Sequence, residues 1–190
     1  MAQIYLKQSR DLQTLGAFDV TAQRPGLARE VARYAAAAAL AELALRLSPS
    51  EPHPEIFDLL AAALDRLDQA ESDDVPVLSI AALWRMIGTL GFSPSLDACA
   101  RDGRPLPDGT ARFSVMDGGF LCASCAAASD APKLPVEDRA ALKQLVAGDL
   151  PGDLSDKRLA AHRRLFTRFV RRHASEDKEL DALAFWEEQS

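Results

Sequence analysis

The sequence has few cysteines, few histidines and no long uncharged segment. Three cysteines and three histidines occur in 190 residues, and the longest stretch without a charged residue is the twelve residues 118–129. A membrane-spanning helix needs about 18 or more apolar residues, so the sequence predicts none. The first twelve residues also lack the basic start and the long apolar run of a secretory signal. We therefore expect a cytoplasmic protein with reduced thiols.

The motifs of the common nucleotide-binding loops are missing as well. Neither G-x-G-x-x-G nor G-x-x-x-x-G-K-S/T occurs, and these glycine spacings are what lets a backbone cradle phosphates. No pairing of a nucleophile with a general base is visible either. We therefore expect a protein without catalytic activity and without a small-molecule substrate.

Acidic and basic residues are unevenly distributed along the chain. The net charge is −6, which argues against a protein whose whole surface grips nucleic acid. Residues 51–98 carry −7, however, whereas residues 157–190 carry +2. The content of apolar residues, 48%, and of charged residues, 26%, is ordinary for a folded globular chain. A local basic patch is therefore compatible with the composition.

Apolar residues at helical spacing predict a mainly α-helical bundle. We expect helices over about 25–47, 54–70, 77–90, 136–147, 155–173 and 176–187. The first of them has two apolar faces, so we expect it to be buried on two sides late in its length. One face consists of Leu27, Val31, Tyr34, Ala38, Ala41 and Leu45, and the other of Leu40, Leu43 and Leu47.

Short strands are expected in two places. Residues 4–6 suggest one strand and residues 12–18 contain a second apolar patch, although one or two strands cannot make a stable sheet alone. In the middle of the chain, residues 112–116 and 119–121 flank Asp117-Gly118. This dipeptide is typical of the turn in a β-hairpin.

The cysteines suggest a metal site. Cys122-Ala-Ser-Cys125 directly follows the expected hairpin, and two thiolates at this spacing can bind one Zn²⁺. About twenty residues earlier stands Cys99-Ala-Arg-Asp102, which has the spacing of a second knuckle but a carboxylate at its last position. Zinc accepts a carboxylate oxygen, so Cys99, Asp102, Cys122 and Cys125 are the candidate metal ligands.

Three interpretations of these four residues are open. They bind a structural zinc ion, they are a decayed site in which the hairpin persists without metal, or they form a catalytic zinc site with an open position. A zinc deaminase is excluded, because the His/Cys-x-Glu element and the proline before C-x-x-C are missing. A redox-active C-x-x-C is disfavoured by the twin-knuckle spacing and by the lack of a βαβ pattern.

The expected helix at 155–173 carries a basic patch. Seven cationic residues and no acidic residue lie between positions 157 and 173, and four of the seven fall within roughly 60° on one side of the helix. The candidate residues for binding nucleic acid or an acidic peptide are Lys157, Arg163, Arg164, Arg168, Arg171 and Arg172. The alternative is a solvated face that the acidic segment 174–190 neutralises.

Two sequence segments carry a family resemblance. They are I-G-T-L-G-F-S-P-S-L-D-A-C at 87–99 and F-S-V-M-D-G-G-F-L-C-A-S-C at 113–125. They resemble the RecO family of bacterial DNA repair and recombination mediators, in which L-G-aromatic-x-P-x-L-x-x-C enters a zinc ribbon and F-x-x-x-x-G-G-x-x-C-x-x-C completes it. Ser9-Arg10-Asp11-Leu12 is similar to the segment that joins the two domains of that family, and residues 165–173 are similar to its last helices.

The resemblance implies a binding protein without enzymatic activity. Members of the family bind and anneal DNA, and they act with RecR to load the recombinase onto DNA coated by the single-stranded-DNA-binding protein. Their helical domain docks the acidic tail of that protein, which ends in phenylalanine. The implied location is cytoplasmic and nucleoid-associated, with no membrane partner.

The sequence departs from the family pattern in two ways. Asp102 stands where the family often has a cysteine, and the N-terminal OB-fold of the family is almost absent. We expect an OB-fold remnant and linker at 1–22, then a RecO-like helical domain at 23–190 with a zinc-ribbon-like insertion at about 97–128. Without an OB-fold groove, DNA binding should be weaker than partner-protein binding. The alternative functions are a small zinc-dependent enzyme and a structural helical interaction module.

Overall fold

Helices form most of the chain in the computed structural model, which describes residues 2–9, 12–152, 154–175 and 179–189. The α-helices are α1 Val31–Leu47, α2 Pro54–Gln69, α3 Val75–Thr89, α4 Ala123–Ala127, α5 Val136–Ala147, α6 Asp156–His173 and α7 Asp181–Glu188. The strands are β1 Ala2–Tyr5, β2 Thr14–Phe18, β3 Ala111–Ser114, β4 Gly119–Leu121 and β5 Lys133–Leu134. None of these helices is long and apolar enough to cross a bilayer. The prediction of a mainly α-helical fold is confirmed.

The predicted helices are confirmed apart from their ends. Pro54 and Pro76 lie in the first turns of α2 and α3, where the missing backbone N–H would have no helical partner. The first helix begins at Val31, because Pro25–Ala28 form a separate 3-10 turn. Of the last predicted helix, residues 176–178 lie outside the described part of the chain.

Helix α3 lies at the centre of the bundle and packs against α1, α2, α5 and α6. Its Trp84 is fully buried and meets Phe166 edge-on, with ring centroids 4.9 Å apart, and Phe169 at 5.2 Å. Phe166 in turn meets Trp186 of α7 at 5.8 Å. Such pairs contribute about 0.5–1.5 kcal/mol beyond the area they bury. These four rings, the aromatic cluster, join α3, α6 and α7.

Helix α1 is buried on one side, so the expectation of two buried faces is wrong. Val31, Tyr34 and Leu45 are 58%, 60% and 82% exposed. The buried side of α1 consists largely of alanines together with Leu40 and Leu43, and its helical neighbours are α2, α3 and α7. Alanine lets neighbouring helices approach closely. Helices α2, α3 and α7 therefore pack against the alanine-rich side of α1, and its other apolar stripe is exposed to solvent.

The expected strands near the start of the sequence form a two-stranded antiparallel sheet. Strand β1 pairs with β2 from Ala2 opposite Phe18 to Tyr5 opposite Thr14, with an irregularity after Gln3. Every residue of both strands is exposed. The sheet therefore takes no part in the buried core. Residues 10 and 11 of the predicted domain junction lie outside the described residues.

The predicted hairpin is the centre of a small inserted sheet with strand order β4-β3-β5. Gly118 has a φ of +79° at the tip between β3 and β4, a conformation that glycine adopts without strain. Phe113 of β3 lies edge-on to Phe120 of β4 at 5.4 Å and reaches Phe169 of α6 at 6.4 Å. The insertion therefore packs onto the aromatic cluster.

Two further contacts fix the insertion to the bundle. The Nε2 atom of His173, the last residue of α6, lies 2.6 Å from the backbone oxygen of Val115. The buried Arg139 of α5 donates to the backbone oxygens of Pro107 and Gly109 at 2.6 and 3.1 Å, and its guanidinium lies 5.2 Å from the centre of the Phe120 ring. Arg139 thus attaches the loop before β3 to the helical core.

Replacing Arg139 should destabilise the fold. Arg139→Met removes the charged donor to two carbonyl groups, and we expect the free energy of unfolding to fall by about 2–3 kcal/mol. Urea denaturation followed by circular dichroism measures this loss. Lys143→Met on the same helix is the control, because among the described residues Lys143 pairs with the exposed Asp97 alone and exposed ion pairs contribute little. Equal losses for both variants would contradict the role of Arg139.

Candidate metal centre and basic helix face

The four predicted metal ligands converge at one end of the inserted sheet. The ligand atoms of Cys99, Asp102, Cys122 and Cys125 all lie within 4.8 Å of one another. In the first knuckle, the N–H of Gly103 donates to the backbone oxygen of Cys99 at 2.8 Å and closes a tight turn. In the second, Cys122 precedes the short helix α4 and its backbone oxygen accepts from Ala126 at 2.8 Å.

Asp102 presents one carboxylate oxygen to the thiols. Its Oδ1 accepts a hydrogen bond from the backbone N–H of Arg104 at 3.1 Å. Its Oδ2 lies 3.3 Å from the Sγ of Cys122 and 3.4 Å from that of Cys125. The backbone donor of Arg104, and then the cysteine thiols, lower the pKa of Asp102 to about 2. Asp102 is therefore ionised at neutral pH and holds one oxygen ready for a cation.

The two thiols of the second knuckle differ in acidity. The hydroxyl of Ser124 lies 3.1 Å from the Cys122 sulfur, and this hydrogen bond lowers the pKa of Cys122 below its usual value. Burial, followed by the neighbouring Cys122 and Asp102, raises the pKa of Cys125 to about 12. A metal bound here displaces protons from thiols but not from Asp102.

These side chains suit zinc. Tetrahedral coordination with Zn–S bonds of about 2.3 Å places sulfur atoms about 3.8 Å apart, and the four ligand atoms here lie within 4.8 Å of one another. Three sulfur donors and one carboxylate oxygen make a full set of four protein ligands. The cluster can therefore hold a metal ion, and its ligand count is that of a structural rather than a catalytic site.

The basic residues of α6 lie mostly on one exposed face. Exposed side chains occur at Lys157, Arg164, Arg168, Arg171 and Arg172, which we call the basic face. On the opposite side, Phe166 and Phe169 enter the aromatic cluster. The apolar residues of α6 thereby direct the cations of the basic face into solvent.

The structure places Arg163 in the core, away from the basic face. Arg163 is 4% exposed, donates to the backbone oxygen of Trp186 at 3.2 Å, and lies 4.8 Å from the centre of that ring. Burial lowers the pKa of Arg163. The sequence carries a signal for this position, because Arg163 lies four residues after Leu159 and three before Phe166, at the spacing of the buried side.

The acidic end of the chain neutralises little of the basic face in the described residues. Arg171 lies 3.6 Å from Glu187 of α7. Arg158, which lies beside the basic face, pairs with Asp138 of α5 at 2.7 Å. Within the described ranges, the other members of the basic face have no carboxylate within 4.0 Å.

A groove of about 300 Å³ separates α6 from residues 132–135. Its apolar lining comes from the leucines and prolines Pro132, Leu134, Pro135 and Leu165, and its cations are Lys133, Arg164 and Arg168. Asp138 also lines the groove, but Arg158 already pairs with it. Burial lowers the pKa of the adjacent His162, so that ring is neutral at pH 7. The groove is apolar with a positively charged rim.

Sequence reasoning did not find this groove. Lys133 and Leu134 belong to strand β5, which pairs with β3 in the register Ala111 opposite Leu134, twenty-three residues apart in sequence. Nothing in the local sequence places this segment beside α6. A second groove of about 440 Å³ lies between α2 and α3, where Arg66 and Arg85 are balanced by Glu55 and Asp58.

Comparison with known proteins agrees with the resemblance seen in the sequence. The family model described as "Recombination protein O C terminal" matches residues 28–180. A protein named DNA repair protein RecO from Anaeromyxobacter sp. (strain K) is 37% identical over 126 residues, covering 66% of this chain and 49% of the relative. The protein of the same name from Rubrobacter xylanophilus is 31% identical over 172 residues, covering 88% of this chain and 68% of the relative.

The matched region has a defined extent. The chain spans about half the length of the first curated relatives that it matches. The family model, by contrast, covers most of this chain and includes helices α1 to α6 and the inserted sheet. The chain therefore belongs to the RecO family of DNA repair proteins.

Proposed function

We propose that this chain is a mediator of DNA repair and homologous recombination that binds DNA and partner proteins without catalysis. Family membership and the exposed basic face support the proposal. The partners would be DNA, the tail of the single-stranded-DNA-binding protein and a RecR-like protein, in the cytoplasm at the nucleoid. The division into a remnant and linker at 1–22 and a helical domain at 23–190 stays a prediction.

The basic face supplies contacts for phosphate groups. A guanidinium can donate two parallel hydrogen bonds to one phosphate, and four of the five cations on this face are arginines. Along the helix, intervals of seven, four and three residues, or one to two turns, separate Lys157, Arg164, Arg168 and Arg171. Such a row can track a nucleic-acid backbone, and it binds by charge rather than by reading bases.

Removing two arginines should weaken DNA binding in a salt-dependent way. For Arg164→Ala/Arg168→Ala we expect lower affinity at low salt. We also expect the slope of log K against log salt to fall by about 2, because two phosphate contacts are lost. Fluorescence anisotropy with a labelled oligonucleotide at several salt concentrations measures both. The control is Arg29→Ala/Arg66→Ala, which removes the same charge from exposed positions outside α6. DNA binding that is equally tight in the unmodified protein and in the α6 double variant would contradict the proposal.

The groove beside α6 fits an acidic peptide that ends in an aromatic residue. A phenylalanine side chain can enter between the prolines and leucines, while the cationic rim meets carboxylates. Pairing of the peptide backbone with strand β5 is disfavoured, because Pro132 and Pro135 flank that strand and lack N–H donors. The tail of the single-stranded-DNA-binding protein has this chemistry in the RecO family.

Substitutions can separate peptide binding from DNA binding. Leu134→Ser removes an apolar wall without changing charge, so it should weaken binding of a labelled acidic, Phe-ending peptide at least tenfold and leave DNA binding unchanged. Anisotropy with both ligands is the measurement. A peptide without its final phenylalanine is the ligand control. If Arg66→Ala at the other groove abolishes peptide binding and Leu134→Ser does not, the peptide docks between α2 and α3 instead.

The four-ligand cluster would hold a structural Zn²⁺. When bound, the ion would hold the two knuckles together and stabilise the inserted sheet. Asp102 would act through Oδ2, since Oδ1 is engaged by the Arg104 N–H.

Metal content should depend on Asp102. We expect one zinc per chain in the unmodified protein, a loss of zinc affinity of tenfold or more in Asp102→Ala, and affinity equal to or above the original in Asp102→Cys. Elemental analysis and competition with a chelator test these values. A folded protein with far less than one zinc per chain in all three forms would identify a decayed site.

A further inference from the structure

The residue between the first two metal ligands makes contacts that neither the sequence motif nor the proposed function explains. Arg101 lies between Cys99 and Asp102 in the first knuckle. Its Nε and a terminal nitrogen donate to the two carboxylate oxygens of Asp117 at 3.0 and 2.9 Å. Its other terminal nitrogen donates to the backbone oxygen of Cys125 at 3.3 Å.

These three hydrogen bonds connect parts of the site that are distant in sequence. Asp117 lies at the tip of the hairpin, sixteen residues from Arg101, and Cys125 is the last ligand of the second knuckle. A planar guanidinium has five donors in a fixed arrangement, so it can hold two partners at set angles at once. Arg101 therefore joins the first knuckle, the hairpin tip and the second knuckle.

Asp117 is itself firmly held. The Ser114 hydroxyl donates to its Oδ2 at 2.5 Å, and its own backbone N–H donates to the Ser114 oxygen Oγ at 3.1 Å. The guanidinium of Arg101, and then the Ser114 hydroxyl, hold the pKa of Asp117 below its usual value. Arg101 thus pairs with a fixed, ionised carboxylate rather than with a mobile surface group.

We propose that Arg101 is a positioning residue for the metal site, which holds the two knuckles at the separation that lets one ion reach all four ligands. The inference rests on the proposed metal binding. Among the contacts of the described residues, Arg101 donates no hydrogen bond to a ligand atom. Its effect is geometric, and it brings the Cys125 backbone and the Cys99–Asp102 turn into register before an ion arrives.

The nearby Arg104 separates geometry from charge. Arg104 is also a cation of the first knuckle, and its Nε lies 3.6 Å from the Oδ2 of Asp102. It makes no hydrogen bond to the hairpin tip or to the second knuckle among the contacts of the described residues. If a positive charge near the anionic ligands were all that mattered, removing either arginine would have the same effect.

The test is metal binding by Arg101→Met, Arg101→Lys and Arg104→Met. We expect Arg101→Met to lower zinc affinity by about tenfold to a hundredfold, as loss of a residue that orients metal ligands commonly does. Arg104→Met should change it less than threefold. Arg101→Lys keeps the charge but not the two-sided contact, and should recover only part of the affinity. Affinities come from chelator competition with Zn²⁺.

The visible absorption spectrum of bound Co²⁺ reports the geometry of the site, and a general loss of protein stability would not change it. Co²⁺ bound at a tetrahedral thiolate site absorbs strongly in the visible range, and we expect Arg101→Met to reduce or shift this band at saturating metal. Asp117→Ala should reproduce the change, and the double variant should add nothing further. Equal zinc affinity and an unchanged cobalt spectrum in Arg101→Met, with metal bound by the unmodified protein, would overturn the inference. A failure of the unmodified protein to bind either metal would instead overturn the proposed metal binding.

Discussion

The packing of aromatic rings around Trp84 is the constraint on which the rest of the structure depends. Trp84 brings Phe166 and Phe169 of α6 against the central helix, and Phe166 continues to Trp186 of α7. Burying those rings fixes the rotation of α6 about its own axis. Because one side of α6 packs into the core, the arginines on its opposite side face solvent. The electrostatic character of the surface is thus a consequence of hydrophobic packing.

The same cluster determines where the inserted sheet lies. Phe169 extends the contact to Phe113, and the final residue of α6 contacts the backbone of the strand–turn region. The four candidate metal ligands are therefore attached to the end of α6, although no residue belongs to both this cluster and the basic face. This attachment supports the knuckles, because a three-stranded sheet with strands this short is not stable by itself.

The metal cluster combines a strict requirement with an unusual ligand. To hold one ion, three sulfur atoms and one oxygen must come close together, and two short turns bring these four atoms within 4.8 Å of one another. Replacing a thiolate by Asp102 exchanges a soft donor for a hard one, but keeps the negative charge and the ligand count. The hydrogen bonds around Asp102 then decide which of its oxygens faces the sulfurs.

The sequence by itself determined the helices, the hairpin, the four residues that cluster as candidate metal ligands and the solvent side of α6, because helical periodicity, Asp-Gly turns and knuckle spacing are local patterns. It predicted a buried outer face for α1 and did not locate the groove. It also listed Arg163 among the candidate binding residues, although the helical spacing of Arg163 already indicates the buried side. Only the tertiary structure decided the burial of α1 and the position of the groove, since burial depends on which elements pack against each side. The alanines of α1 let α2, α3 and α7 pack closely against one face. The pairing of β5 with β3 places Lys133 beside α6.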